Sequence, residues 1–344
     1  MIRSTRRRPA GAARPGAAGG GWSTLGRTRG RYAPPLPADK PPTKPSGDPR
    51  IIDVPKMPIP DRFYPAIAQI QKQHEFFDVM HKAMGELRIE KGSDFNLDNI
   101  ALPVQPARLP IELLLSAADH YSAFRMLTDE SREKGGEWHT SAPWTLMRAA
   151  LEQASQAIWL AAEDDRDERI RRYLRMLRHN GAQATTATEL RYRRKDREKY
   201  RAATIKHREV DFANLITKYC RTSNQVSTVD RSISLLDCIR EAARLSDVTF
   251  VETVERYWRL ASGYAHGLEW TRLAAGLSTF HVDEEGRPAG MFGLNPEKLS
   301  YLVVMVTGTF HHALWLMRKR CGSSCPDSCP KFATLTPIDF LHFP

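Results

Sequence analysis

The stretch WTLMRAALEQASQAIWLAAE, residues 144–163, decides the fold of this chain. It is the most apolar part of the helical region, and its many alanines allow neighbouring helices to approach closely. Ser141 followed by Pro143 is typical of a helix start, because proline is tolerated in the first helical turn. We therefore predict a helix from Pro143 to about Glu163 that packs tightly against other helices.

A second apolar run, YLVVMVTGTFHHALWLM, covers residues 301–317. It is short for a membrane span, and His311 and His312 interrupt it. We predict a final helix over about 296–319 that is buried in the protein core, with no membrane partner.

Most of the chain between these two segments repeats apolar residues at three- and four-residue spacing, which indicates amphipathic helices. Asn180-Gly181 is expected to end the fourth helix, and the charged stretch 187–208 to form an exposed helix or a hairpin arm. Residues 267–295 are expected to be irregular, with a short strand or hairpin near 279–282. Further helices are predicted at about 62–90, 110–129, 164–180, 209–220, 230–244 and 248–266.

The chain has 344 residues, of which 41% are hydrophobic and 26% charged, so it can bury a sizeable core. Its formal net charge is +11, but residues 1–50 hold nine Arg, two Lys and two Asp. The high pI therefore describes this segment and not the rest of the chain. Residues 1–50 are rich in Gly, Pro, Arg and Ala, and we predict a disordered tail there. A stretch without function, from an upstream start codon, is the alternative.

The predicted fold class is all-α: a multi-helix bundle with a disordered basic N-terminal tail and an irregular C-terminal tail that contains cysteines. An extended linker over 51–60 is expected because three prolines forbid a helix there. The bundle is predicted as one domain over 61–320, and the irregular tail over 321–344.

Five cysteines without a secretory signal indicate reduced thiols and a cytoplasmic protein. Cys321, Cys325 and Cys329 follow one another at intervals of four, which fits a metal-binding loop or a chance cluster equally well. We predict no metal site and no cofactor. Walker A, dinucleotide-binding, zinc-protease and nucleophile-elbow motifs are absent from the sequence.

The segment RYWRLASGYAHGLEW, residues 256–270, carries the candidate site. Arg259 and His266 are seven residues apart, which places them on one helix face with about 10 Å of rise between them. Ser262 lies between them, and Gly267 is a natural residue to end the helix. Near a helix C-terminus the dipole favours the imidazolium form of His266. This arrangement suits a phosphate or a developing oxyanion, although a simple helix cap with a salt-bridge partner is an alternative.

Two further groups of charged residues accompany this segment. Arg148 and Glu152 are four residues apart on an otherwise apolar helix, where Glu152 could orient His266 or the two could form a local ion pair. Arg169 and Arg172 belong to a basic run with an interleaved tyrosine, which could contact nucleic acid or form a solvated helix face.

These segments together resemble the HEPN superfamily, the higher-eukaryote and prokaryote nucleotide-binding domains, and more narrowly its uncharacterised bacterial helical branch. The resemblance covers roughly residues 105–320. The positions that carry it are Arg148, Glu152, Trp159, Arg169, Arg172, Tyr257, Arg259, Ser262, Tyr264 and His266.

The resemblance implies metal-independent RNA cleavage at a site built across a homodimer. His266 would assist the attack of a 2′-hydroxyl on the adjacent phosphate, Arg259 would stabilise the phosphorane, and Ser262 would be an auxiliary group. Arg148, Glu152 and Tyr264 would support this site from behind. RNA and a cognate antitoxin or regulator are the partners implied. The alternatives are a non-catalytic helical bundle that binds a protein or a nucleotide, and sequence-independent binding of nucleic acid by the basic tail.

Overall fold

The computed structural model describes residues 61–102, 104–133, 139–189, 196, 198, 212–246, 251–275, 277–282 and 288–323. Its elements, in chain order, are a 3-10 turn Asp61–Phe63, α1 Tyr64–Gly85, α2 Asp94–Ala101, α3 Arg108–Glu133, α4 Ala142–Ala161, α5 Arg166–Glu189, α6 212–219, α7 Ser223–Asp230, α8 Leu235–Ser246, α9 Val251–Ala265, α10 Glu269–Ala275, β1 Leu277–Val282, β2 Pro288–Gly293 and α11 Pro296–Cys321.

The architecture is a bundle of helices, which confirms the predicted all-α class. The described strands form a single antiparallel hairpin, in which Leu277 of β1 pairs with Gly293 of β2 and Val282 pairs with Pro288. This hairpin occupies the region where the sequence suggested a short strand or hairpin.

Two helices, α4 and α11, form the centre of the main core. Helix α4 packs against α3, α8 and α9 as well as α11, and its alanines permit these close approaches. Trp144, Met147 and Leu151 of α4 are fully buried, as are Leu302 and Val303 of α11. A smaller core joins α5, α6 and α7 around Leu174, which has no exposed surface.

Helix α11 is long and apolar enough to cross a membrane, and within the described residues it is the one helix that meets this test. In its most apolar window, 78% of the residues are buried inside the protein. Such burial is typical of the core helix of a soluble protein, as the sequence predicted.

The C-terminal end of α4 is closed by two buried arginines from other helices. Arg320 of α11 donates to the carbonyls of Ala161, Ala162 and Glu163 at 2.9, 3.1 and 2.7 Å, and to the carboxylate of Asp94 at 2.6 Å. Arg169 of α5 donates to the carbonyls of Glu163 and Asp164. Together they satisfy carbonyls that the end of a helix leaves without intrahelical partners.

The predicted elements needed four corrections. Helix α5 continues to Glu189 instead of ending at Asn180-Gly181, because one glycine inside a helix costs only about 1 kcal/mol relative to alanine. The short helices α2, α7 and α10 were not predicted. The first two begin at side-chain caps, in which Ser93 Oγ accepts from the Asn96 N–H and Thr222 Oγ1 accepts from the Gln225 N–H.

All the described residues belong to one compact unit. The predicted tail over 1–50 and the linker over 51–60 lie outside the described residues, as do most of 187–208 and the C-terminal tail after residue 323. The predictions for those segments stay predictions.

Candidate functional site at the end of α9

The C-terminus of α9 closes in a Schellman motif. Gly267 has φ of 66°, its N–H donates to the carbonyl of Tyr264 at 3.2 Å, and the N–H of Leu268 donates to the carbonyl of Gly263 at 2.9 Å. The prediction that Gly267 ends this helix is confirmed. The chain reverses at this turn and α10 returns along α9.

Gly263 lets α10 lie directly on α9. A Cβ atom at this position would come within 2.0 Å of Thr271 Cγ2 and 3.1 Å of Trp270 Cζ2. Gly263 is four residues after Arg259 and three before His266, so all three residues share one face of the helix. The indole of Trp270 therefore packs on this face between the two candidate catalytic residues.

Arg259 lies at the surface, with 55% of its side chain exposed. Its Nε and Nη2 atoms donate to Glu255 Oε1 at 2.9 and 2.7 Å. Glu255 Oε2 also accepts from Arg240 Nε at 2.8 Å, so one carboxylate holds two guanidinium groups. These hydrogen bonds, first from Arg259 and then from Arg240, lower the pKa of Glu255. Arg259 is thereby directed toward the N-terminal side of α9 and away from His266.

His266 is exposed in the turn that follows α9, and its backbone N–H donates to the carbonyl of Ser262 at 3.1 Å. Ser262 itself is half-buried. Both side chains of the predicted pair are therefore accessible to solvent. The ion pair of Arg259 with Glu255 also matches the alternative in which this arginine is a salt-bridge partner.

Arg148, Glu152 and Tyr264 anchor α9 to the core. Glu152 Oε1 accepts from Arg148 Nε at 2.7 Å and from the indole N–H of Trp258 at 2.8 Å. Of the two alternatives for Glu152, the structure contains the local ion pair with Arg148. The hydrogen bond from Trp258, which the sequence did not suggest, also links Glu152 to α9. Tyr264 is buried and stacks on Trp144 of α4, with 5.0 Å between ring centroids and 7° between planes. These residues fix the position of α9 against α4.

The assignment of Arg169 and Arg172 to a nucleic-acid surface needs correction. Arg169 is 4% exposed and donates from Nε and Nη2 to the buried carboxylate of Asp98 at 2.9 and 3.0 Å. Arg172 is also largely buried, with ion pairs to Glu163 and Glu241. A buried guanidinium whose donors are satisfied inside the fold cannot reach a phosphate, so both residues are structural.

A cleft of about 460 Å³ opens beside Arg259, between α9, α10 and the start of α11. This volume is in the range of small-molecule sites. The residues that line it are Glu252, Glu255, Arg256, Tyr257, Arg259, Leu260, Trp270, Ala274 and Lys298. Trp270 and Lys298 were missed by the sequence analysis, because spacing along one helix says nothing about which residues of other helices face it.

Cys321 is buried at the end of α11, and burial raises the pKa of its thiol to about 11. Within the described residues, no group of three or more His, Cys, Asp or Glu side chains could hold a metal ion. Cys325 and Cys329 lie outside those residues.

Comparisons of this chain with protein-family models, with curated proteins and with solved structures found no match. Its function therefore has to be inferred from the site at the end of α9.

Proposed function

We propose that this protein is a metal-independent endoribonuclease of the HEPN type, with Arg259 and His266 as its catalytic residues. The observation that carries this proposal is the exposure of both side chains on one face of α9. Arg259 also lines a cleft that holds two aromatic rings, three cations and two carboxylates. A histidine and an arginine at an accessible surface can act on a phosphodiester without a metal ion.

The chemistry assigns one step to each residue. His266 removes the proton from a ribose 2′-hydroxyl, the O2′–P bond forms, and the P–O5′ bond breaks. The leaving oxygen takes a proton from solvent, which gives a 2′,3′-cyclic phosphate and a 5′-hydroxyl. Arg259 neutralises the charge that builds on the phosphorane oxygens, and Ser262 is an auxiliary polar group.

The proposed site uses two copies of the chain. Within one chain, Glu255 holds Arg259 on the side away from His266, and about 10 Å of helix rise separates the two residues. The neighbouring helix α10 exposes 66% of Leu273, and Leu268 beside it is also exposed. We propose that a second copy packs against these two leucines. In this arrangement its own His266 would approach Arg259, while the cleft side of Trp270 stays open to a ligand.

The test is a cleavage assay on pooled single-stranded RNA in the presence of EDTA. We expect His266→Ala and Arg259→Ala each to lower the cleavage rate at least about 100-fold. The exposed His139, which lies outside the site, provides the control His139→Ala with unchanged activity.

A mixture of the two inactive variants tests the shared site. A heterodimer of Arg259→Ala and His266→Ala holds one intact Arg259–His266 pair, so mixing should restore part of the activity. Absence of cleavage by the wild-type protein on every RNA tested would contradict the nuclease, and absence of restoration would contradict the two-chain site.

A second candidate is a non-catalytic bundle that binds a nucleotide or a protein partner. The observation that favours it is the ion pair of Arg259 with Glu255, which neutralises the guanidinium in the unbound protein. In that case RNA or nucleotide binding would persist without any cleavage, and His266→Ala would leave binding unchanged.

A further inference from the structure

We propose that Trp270 is the platform on which an unpaired RNA base stacks when the adjacent phosphate occupies the Arg259 site. This inference rests on the proposed function for the identity of the ligand. It assigns a binding role to a residue of α10 that belongs to neither the predicted motif nor its supporting residues.

Trp270 is placed for this role by Gly263. Its indole edge packs on the bare backbone of α9, and yet 48% of the residue remains exposed. A tryptophan in a protein core is usually covered, whereas a ring that is fixed at one edge and open to solvent can receive a second flat group. The ring also lines the cleft beside Arg259.

Three cations line the cleft together with this ring, and so do the carboxylates of Glu252 and Glu255. Arg256 is exposed one turn before Arg259, and Lys298 of α11 is held in place by a hydrogen bond to the carbonyl of Ala274. The cleft therefore combines an aromatic surface with a small excess of positive charge, since three cations stand against two carboxylates. Proteins that bind single-stranded nucleic acid use this combination, in which aromatic rings stack on the bases and cations contact the phosphates.

Arg259 can change partner without leaving an unpaired charge behind. Glu255 keeps its ion pair with Arg240 when Arg259 leaves it, so a phosphate can take over the guanidinium at a small electrostatic cost. The carboxylate thus holds Arg259 near the cleft in the unbound protein and releases it to a ligand.

The ligand must present an unstacked base, because a base inside a duplex has no free face for Trp270. A single-stranded RNA fits this requirement, and a duplex of the same sequence does not.

The experiment measures affinity by fluorescence anisotropy, with full-length protein and a fluorescein-labelled single-stranded 12-nucleotide RNA. All variants carry His266→Ala to prevent cleavage, and about 0.3 M salt weakens the contribution of the basic segment 1–50. Loss of one stacked base should raise the Kd of Trp270→Ala by about 5- to 150-fold, and Trp270→Phe should restore most of the affinity.

Trp315→Ala is the matched control. Trp315 is a similarly exposed tryptophan on α11, about 25 Å along that helix from Lys298. Its removal should leave the Kd within about twofold, and the duplex should bind all variants equally.

Two results would overturn the inference. One is a Kd for Trp270→Ala that equals that of Trp315→Ala. The other is a change of oligomeric state in Trp270→Ala by sedimentation that accounts for the loss of affinity, since Trp270 would then belong to a contact between chains. The nuclease proposal fails separately: if wild-type protein binds RNA through Trp270 but never cleaves it, the stacking role stands and the catalytic role falls.

Discussion

His74 is the residue whose protonation most directly links stability to pH. It is buried in α1, where its Nδ1 and Nε2 atoms make hydrogen bonds to Tyr121 Oη at 3.2 Å and Thr128 Oγ1 at 3.1 Å. Burial lowers the pKa of His74 from 6.5 to about 4. Nearby charges act less strongly: Asp129 and Asp78 raise it and Arg125 lowers it. The folded protein therefore holds a neutral imidazole.

We predict that this residue destabilises the fold in mild acid. The unfolded chain binds a proton at His74 below about pH 6.5 and the folded chain only below about pH 4. The free energy of unfolding therefore falls as pH decreases through this window, by on the order of 3 kcal/mol. Urea unfolding at several pH values should show this slope in wild type and a smaller one in His74→Gln. The exposed His139 gives a control, His139→Gln, with the wild-type slope. Equal slopes in all three proteins would refute the prediction.

The catalytic proposal also concerns single residues, and substitutions at two of them should lower activity without lowering stability. His266 is exposed and Arg259 mostly so, which means that alanine at either position removes no buried contact. Glu152, by contrast, holds Arg148 and Trp258 together in the interior. A change at Glu152 is expected to alter activity through the position of α9 and to lower stability with it.

At the scale of elements, the arginine-capped end of α4 is a structural joint between α4, α5, α11 and α2. Arg320 is 2% exposed and donates to three carbonyls and two carboxylates there, including that of Asp164. Its neighbour Lys319 also pairs with Asp164, but from the surface with 46% of its side chain exposed. Adjacent residues of α11, one buried and one exposed, thus pair with the same exposed carboxylate.

We predict very different costs for removing these two cations. Arg320→Met leaves the carbonyls of Ala161 and Ala162 without their donor, and should lower the free energy of unfolding by about 2–5 kcal/mol. Lys319→Met loses only an exposed pair and should cost less than about 1 kcal/mol. Thermal and urea unfolding of both variants measures the difference. Equal losses of the free energy of unfolding would mean that other donors satisfy the carbonyls at the end of α4.

The elements also show how much of the fold could be predicted from the sequence. The long helices were predictable because three- and four-residue periodicity persists over several turns, as in α4 and α11. Helices α2, α7 and α10 have seven or eight residues, so about two turns of pattern cannot be distinguished from a loop. The helix end at Gly267 was predictable from glycine alone. Trp270 and Lys298 were not, because their approach to Arg259 depends on how three helices pack.

At the scale of the whole molecule, positive charge is concentrated in residues 1–50, which hold nine Arg and two Lys against two Asp. The remaining 294 residues are close to neutral. Affinity for nucleic acid that comes from this segment should depend on salt but not on sequence.

We predict that RNA binding by the full chain weakens steeply with salt, with a slope of log K against log salt of about −0.7 for each phosphate neutralised. A chain that lacks residues 1–50 should show a much shallower slope and keep the effect of Trp270→Ala. Anisotropy titrations between about 0.05 and 0.3 M salt measure both. An unchanged slope after deletion would place the electrostatic contacts in the helical bundle instead.

Helix α11 has a consequence for how the protein is made. It is the last of the described helices in chain order, and yet α1, α2, α3, α4, α8 and α9 all pack against it. At about 5–20 residues per second, the ribosome needs roughly 15–60 seconds to reach α11. During that time α1 and α4 lack α11, which covers one apolar side of each, although α4 can already pack against α3. The nascent chain is therefore a natural client for chaperones, and its core closes only after α11 has left the ribosome.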